Sequence, residues 1–268
     1  MRIIRFVDKS GDTHYGEDLG EGRAQPLDGD LYEGLEPSGE VSQVDRLLAP
    51  ILPTNIFCIG LNYREHAEES NVPIPEEPIP FMKPTSVLLD PGEPILIPAC
   101  CNQHGEEVDY ECELAIVIGK PARNVSEADA LKYVLGYTAA NDVSARHWQI
   151  ERCGGQWIRG KSFDTFCPLG PALVTADEIP DPQTLSIKTV LNGEVMQDHT
   201  TADMIFSCAR LISFLSADTT LLPGTVILTG TPQGVGFART PPRLLKDGDV
   251  VTIELDKIGQ LTNPVKNA

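Results

Sequence analysis

The sequence predicts a mixed, β-rich α+β fold, with a small strand-rich N-terminal domain over residues 1–50 and a larger domain over 55–265. Three observations carry this. Short apolar runs recur between 22 prolines and 23 glycines scattered as punctuation. Stretches with helical spacing are few. The texture also changes near Asn55, from alternating, charge-rich sequence to strong apolar runs divided by long loops such as "VPIPEEPIPFMKPTS". A chain of 268 residues has ample core for this arrangement.

In the N-terminal piece "MRIIRFVD" alternates as a strand should, "DKSGD" turns it, and "VSQVDRLLAPI" leads out through proline. The main domain is expected to hold strands at 56–59, 95–97, 110–119, 134–141, 171–174, 185–191, 226–229 and 250–255. "SEADALKYV" reads as a helix with Ser126 as its N-cap, and "TADMIFSCARLISFLS" places apolar residues at helical spacing from Met204 through Leu215. Asn192-Gly193 between two apolar runs is the strongest hairpin signal in the chain.

A formal charge of -18 repels phosphate backbones and anionic lipid surfaces, which argues against nucleic acid or membrane as the main partner. An anionic substrate would need local cations. "MRIIRFVDKSGDTHYG" has too short an apolar stretch for a signal peptide, and no run is long enough to span a bilayer, so a cytoplasmic or equivalent reducing location is expected. The 7 cysteines lack C-x-x-C pairing, and the adjacent Cys100 and Cys101 make no zinc knuckle; free, mostly buried thiols are expected.

"VDYECELAIVIGK", residues 108–120, opposes that pattern by sending Asp109, Glu111 and Glu113 into the mouth of a buried strand. In a strand the three would share one face, with Cα atoms about 6.6 Å apart at each step. Burying isolated carboxylates costs several kcal/mol, so either the strand end is solvated or a cation sits there. Asp142, at the end of the apolar stretch in "GYTAANDVSARHWQ", adds a third hard oxygen donor, with Arg146 four residues on. Carboxylates without His or Cys partners favour Mg²⁺, Mn²⁺ or Ca²⁺ over zinc. "TGTPQGVG" has amides for an anion but lacks the G-K-[ST] ending of a P-loop, and as a bare glycine loop reads first as a turn.

Together "GLNYREHAEE", "FMKPTS", "DYECELAIVIGK", "GYTAANDVSAR", "GKSFDTFCPLGP" and "PGTVILTGTPQGVG" resemble, in order, the motifs of the fumarylacetoacetate hydrolase (FAH) family, over nearly all of Asn55 to Val265. The resemblance is to its short members, including the FAH-domain-containing protein 2 branch and bacterial diketo-sugar-acid hydrolases. It implies an FAH-type β-sheet roll, a homodimer and one Mg²⁺ or Mn²⁺. By this resemblance Glu111, Glu113 and Asp142 are the metal ligands, and Asp109 stands behind them. His66, its partner Glu69 and Lys161 fall on catalytic positions; Arg146, Gln149 and Thr231 match substrate-contacting ones. Lys83, in "FMKPTS", is assigned to substrate binding as well. The enzyme that names the family has a much longer N-terminal domain contributing a further acidic ligand; here about 50 residues precede the main domain.

The chemistry expected first is metal-dependent hydrolysis of a C–C bond in acylpyruvates or 2,4-diketo acids, giving pyruvate and a carboxylic acid. The alternative keeps the site and changes the reaction: an oxaloacetate tautomerase or decarboxylase, or a related 2-hydroxy-dienoate isomerase. Either way the substrate is a small anionic keto acid. His66 and Glu69 are i and i+3 neighbours on a helical turn, so the carboxylate can orient the imidazole. Alone, a His in "REHAEES" reads as a surface residue, and a third possibility is a catalytically silent protein that keeps the cation for stability. The proline-rich "SNVPIPEEPIPF" that follows suggests that the His66 segment acts as a lid.

Overall fold

The computed structural model describes residues 1–101, 103 and 105–268. Among these, two large sheets share one core. The twelve-stranded mixed sheet begins with Thr13–Gly20, Arg23–Asp30, Ser42–Leu48 and Arg2–Asp8. It continues through Cys167–Thr175, Val134–Asn141, Cys112–Ile118, Thr225–Leu228, Asn55–Gly60 and Ile79–Lys83, with two short strands off this path. The five-stranded sheet runs Glu194–Thr200, Ser186–Leu191, Val250–Leu255, Gly259–Asn267, Ile95–Ile97. The middle strands Cys112–Ile118 and Thr225–Leu228 are buried at every residue, as the apolar runs Leu114–Ile118 and Val226–Leu228 within them require. No helix among the described residues is long and apolar enough to cross a membrane. All seven cysteines are free; Cys100 is half-buried, Cys153 exposed and the other five buried.

The N-terminal 50 residues extend the large sheet: Arg2 pairs with Val174 and Ile3 with Leu173. The expected hairpin forms, with Asn192 at φ 53° and Gly193 at φ 85° between Ser186–Leu191 and Glu194–Thr200. The strand expected at 171–174 runs over Cys167–Thr175 and includes Pro168 and Pro171; the register jump between Tyr137↔Val174 and Ala139↔Gly170 makes room for Pro171 in a bulge.

Three expectations change. The helix over 126–134 is one α-turn, Glu127–Ala130, followed by a 3₁₀ turn, Leu131–Tyr133, and Ser126 bonds the Asp129 carboxylate at 2.8 Å rather than a backbone amide. The helix read from Met204 starts only at Cys208, where Ser207 Oγ accepts the Arg210 amide; Met204 instead bridges Tyr63, and the Ile205 and Phe206 amides donate to Asn62. The strand over 110–119 begins at Cys112, because the chain leaves a separate two-stranded ladder, Val108–Asp109 with Ser144–Ala145, before joining the main sheet.

Candidate metal and proton-transfer site

That break creates the site. On its far side Cys112 pairs with Asn141, and on its near side Asp109 pairs with Ser144. Glu111 and Asp142 therefore face each other between two ladders, tied by the Asp142 amide to the Glu111 carbonyl at 2.9 Å. Glu113, two residues on, brings a third carboxylate. One oxygen from each of Glu111, Glu113 and Asp142 lies within 4.8 Å of the others, all buried. Asp109 is turned aside, contrary to simple alternation: it accepts the Gly236 and Phe237 amides at 2.8 and 3.0 Å and Arg146 Nε at 2.8 Å.

Lys161 Nζ donates to Glu111 and to Asp142 at 2.7 Å each, Lys83 pairs with Asp142 from below, and Arg146 reaches Glu111 at 2.6 Å and Gln149 at 2.9 Å. Burial alone would raise the Glu111 carboxyl, but Lys161 and Arg146 outweigh it and hold it at about 2. Glu113 goes the other way: burial, then Asp142 and Glu111, push it well above the usual carboxylate range, against the Gly230 amide that it accepts at 2.6 Å. A divalent cation fits this donor set, which is all hard oxygen and short of positive charge at Glu113.

His66 and Thr231 lie on the same cavity of about 420 Å³ as the carboxylates, Arg146, Gln149 and Lys161. His66 sits on the helix Arg64–Glu69, with Nδ1 3.2 Å from Glu69 Oε2. Donation from Nδ1 leaves Nε2 of the neutral ring as the acceptor. The other Glu69 oxygen accepts the Gly234 amide at 2.9 Å, so "TGTPQGVG" anchors the helix. At its start, Asp203 accepts the Glu65 amide and Arg64 donates to the Asp203 and Met204 carbonyls. Lys83, Glu69 and Asp109 stand behind the cavity wall.

Two positioning residues escaped the sequence reading. Asn62 donates to the Phe206 and Thr229 carbonyls, joining the His66 loop to "TGTPQG". Gln197 accepts from Thr189 Oγ1 and the Cys112 amide, and donates to Thr231 Oγ1 and the Pro232 carbonyl. Its signal was a polar residue at a buried hairpin position, visible only once the second sheet is seen to pack behind the site.

Residues 55–266 match the family model described as fumarylacetoacetate (FAA) hydrolase, C-terminal, and residues 1–50 match one described as Rv2993c-like, N-terminal. The chain is 53% identical over 220 residues to a Xenopus laevis protein named oxaloacetate tautomerase fahd2, mitochondrial, covering 82% of this chain and 68% of that protein. It is 47% identical over 230 residues to the Homo sapiens protein named oxaloacetate tautomerase FAHD2A, mitochondrial, covering 85% and 71%. A solved structure named 5-carboxymethyl-2-hydroxymuconate delta-isomerase, from Mycobacterium smegmatis, matches all of both chains with a TM-score of 0.86 and 39% identity. The mitochondrial names overturn the expectation of a cytoplasmic location: lack of a long apolar run speaks to membranes and secretion, and not to delivery into an organelle. With a family model spanning most of its length and relatives near half identity behind the geometry of its carboxylate site, the chain belongs to the fumarylacetoacetate hydrolase family.

Proposed function

We propose that the protein is a divalent-metal-dependent tautomerase interconverting the enol and keto forms of oxaloacetate or a closely related 2-oxo acid. One observation carries this: the oxygens of Glu111, Glu113 and Asp142 converge in the same cavity as His66, whose other ring nitrogen is engaged by Glu69. Relatives named oxaloacetate tautomerase and a structure named delta-isomerase support proton transfer over the C–C hydrolysis expected first. Tautomerisation needs only that a proton leave C3 and another reach the 2-oxo oxygen, with no water as nucleophile.

Glu111, Glu113 and Asp142 would hold Mg²⁺ or Mn²⁺, which when bound supplies Lewis-acid polarisation of the 2-oxo group. His66 Nε2 takes or returns the proton at C3, with Glu69 fixing the tautomer and steadying the protonated ring. Lys161 stays charged: burial opposes its ammonium, but Asp142 and Glu111 outweigh it and raise its pKa, so it orients carboxylates and offers charge rather than acting as a base. Arg146 and Gln149 form the neighbouring wall for the substrate carboxylate. The homodimer implied by the resemblance belongs to the same proposal and is read by light scattering.

The test follows loss of oxaloacetate enol absorbance with metal-stripped and Mg²⁺-reloaded protein. Reloaded wild type is expected to accelerate ketonisation and His66→Ala to lose about 100-fold or more. The description of the family model favours hydrolysis as second reading. Acetylpyruvate converted to pyruvate and acetate, with the oxaloacetate equilibrium untouched, would replace the first reading with the second.

A further inference from the structure

We infer that the site takes 2-oxo acids bearing an apolar group beyond C4 and binds them more tightly than the same 2-oxo acid head without that group. This rests on the reading above, which puts the 2-oxo acid head at the carboxylate cluster. The strand Ile79–Lys83 runs past that cluster like a ruler, because Lys83, Phe81 and Ile79 alternate onto one face. Lys83 pairs with Asp142. Phe81 lies beneath the Lys161 ammonium, 5.3 Å from ring centroid to Nζ. Ile79, paired with Gly60, ends the series 40% exposed at the rim. At about 6.6 Å per step, the face passes from charged to wholly apolar within about 13 Å.

Trp157 packs against this same wall. Its ring meets Phe81 edge-on with centroids 5.7 Å apart and rests on Gly60, where a Cβ would overlap the indole. Val72 and Ile150, both exposed, continue the wall toward solvent. The cavity of about 420 Å³ is in the range that encloses drug-sized ligands, more than a four-carbon acid fills.

Charge points the same way. The lysine and arginine on the cavity, Lys161 and Arg146, are already engaged by Glu111, Asp142 and Asp109. A second carboxylate projected along the strand would meet Phe81, Trp157 and Ile79 and lose its water without gaining a cation. An alkyl or aryl group in the same place gains burial.

The experiment uses calorimetry in Mg²⁺ with two non-reacting probes, oxamate and N-benzyloxamate, on wild type, Trp157→Ala and Ile79→Ser. The last replaces an exposed rim residue and keeps the test valid should the first fold poorly. Wild type is expected to bind N-benzyloxamate about tenfold more tightly than oxamate, and the ratio to fall toward one in the variants. Oxamate bound with no advantage for the benzyl probe, or a ratio that survives both substitutions, would overturn this inference and leave the proposed function standing. Failure of both probes to bind would overturn the two together.

Discussion

Glu111→Gln and Glu113→Gln, two positions apart in one motif, should move the metal-free protein in opposite directions. Glu111 is depressed from 4.5 to about 2, chiefly through Lys161 and Arg146 acting against burial. At about 1.4 kcal/mol per unit, that is about 3 kcal/mol of stability, present above pH 4.5 and lost as pH falls toward 2. At neutral pH, Glu111→Gln forfeits it, and for a chain of this size the melting temperature should drop by about 6–12 °C. Glu113 has the reverse sign: its carboxyl is raised, so its contribution is full below pH 4.5 and declines as pH rises through the folded value. A glutamine there keeps the shape, still accepts the Gly230 amide and turns N–H donors toward Glu111 and Asp142. Glu113→Gln should therefore melt at or above wild type in EDTA, with the gap widening as pH rises, while both variants lose the stabilisation that Mg²⁺ gives wild type. Fluorimetric melts in EDTA and in Mg²⁺ between pH 5 and 8 decide it. A Glu113→Gln protein as destabilised in EDTA as Glu111→Gln would refute the charge assignment on which the metal proposal rests.

Other expectations follow from the supporting residues. Gly230 has φ 98° and a Cβ there would lie 2.7 Å from Asn62 Cβ, so Gly230→Ala should cost about 2 kcal/mol in denaturant melts and loosen Glu113. Gln197→Leu strips partners from Thr189, Cys112, Thr231 and Pro232 and should cost about 3 kcal/mol, measured the same way. Asp249 is lowered because Arg243 and Asn192 outweigh the burial that would raise it. Its stabilisation is present above its ordinary carboxylate pKa and disappears in acid, so Asp249→Asn should melt below wild type at pH 7 and converge with it as pH falls.

Much of the site could be read from the sequence because its anomaly is local. Carboxylates at 111 and 113 inside an apolar run are costly wherever the strand lies, and the hairpin at Asn192-Gly193 is fixed by two adjacent residues. What stayed hidden depends on pairing between distant segments. Asp109 leaves the cluster because the chain changes ladders at Tyr110, which no period-two pattern reveals. Residues 204–206 have helical spacing yet form a bridge and a bend outside any helix, because the Asn62 loop offers hydrogen bonds that the spacing cannot anticipate. The apolar wall needs Gly60 and Trp157, nearly a hundred positions apart, to meet.

An acidic protein acting on an acidic substrate must reverse its sign locally, and the site indicates where the reversal comes from. With surface charges screened over about 8 Å in physiological salt, the overall charge of -18 matters less to a bound ligand than what lies beside it. Four buried carboxylates, Asp109, Glu111, Glu113 and Asp142, surround three buried cations, Lys83, Arg146 and Lys161. The lysines and arginine are thus spent on holding the carboxylates in place, and the cluster without metal is still short of positive charge. A divalent ion tips the same set of residues to net positive. On this account the ordered cations are the scaffold of the site, and its attraction for a 2-oxo acid depends on the metal that the scaffold is shaped to receive.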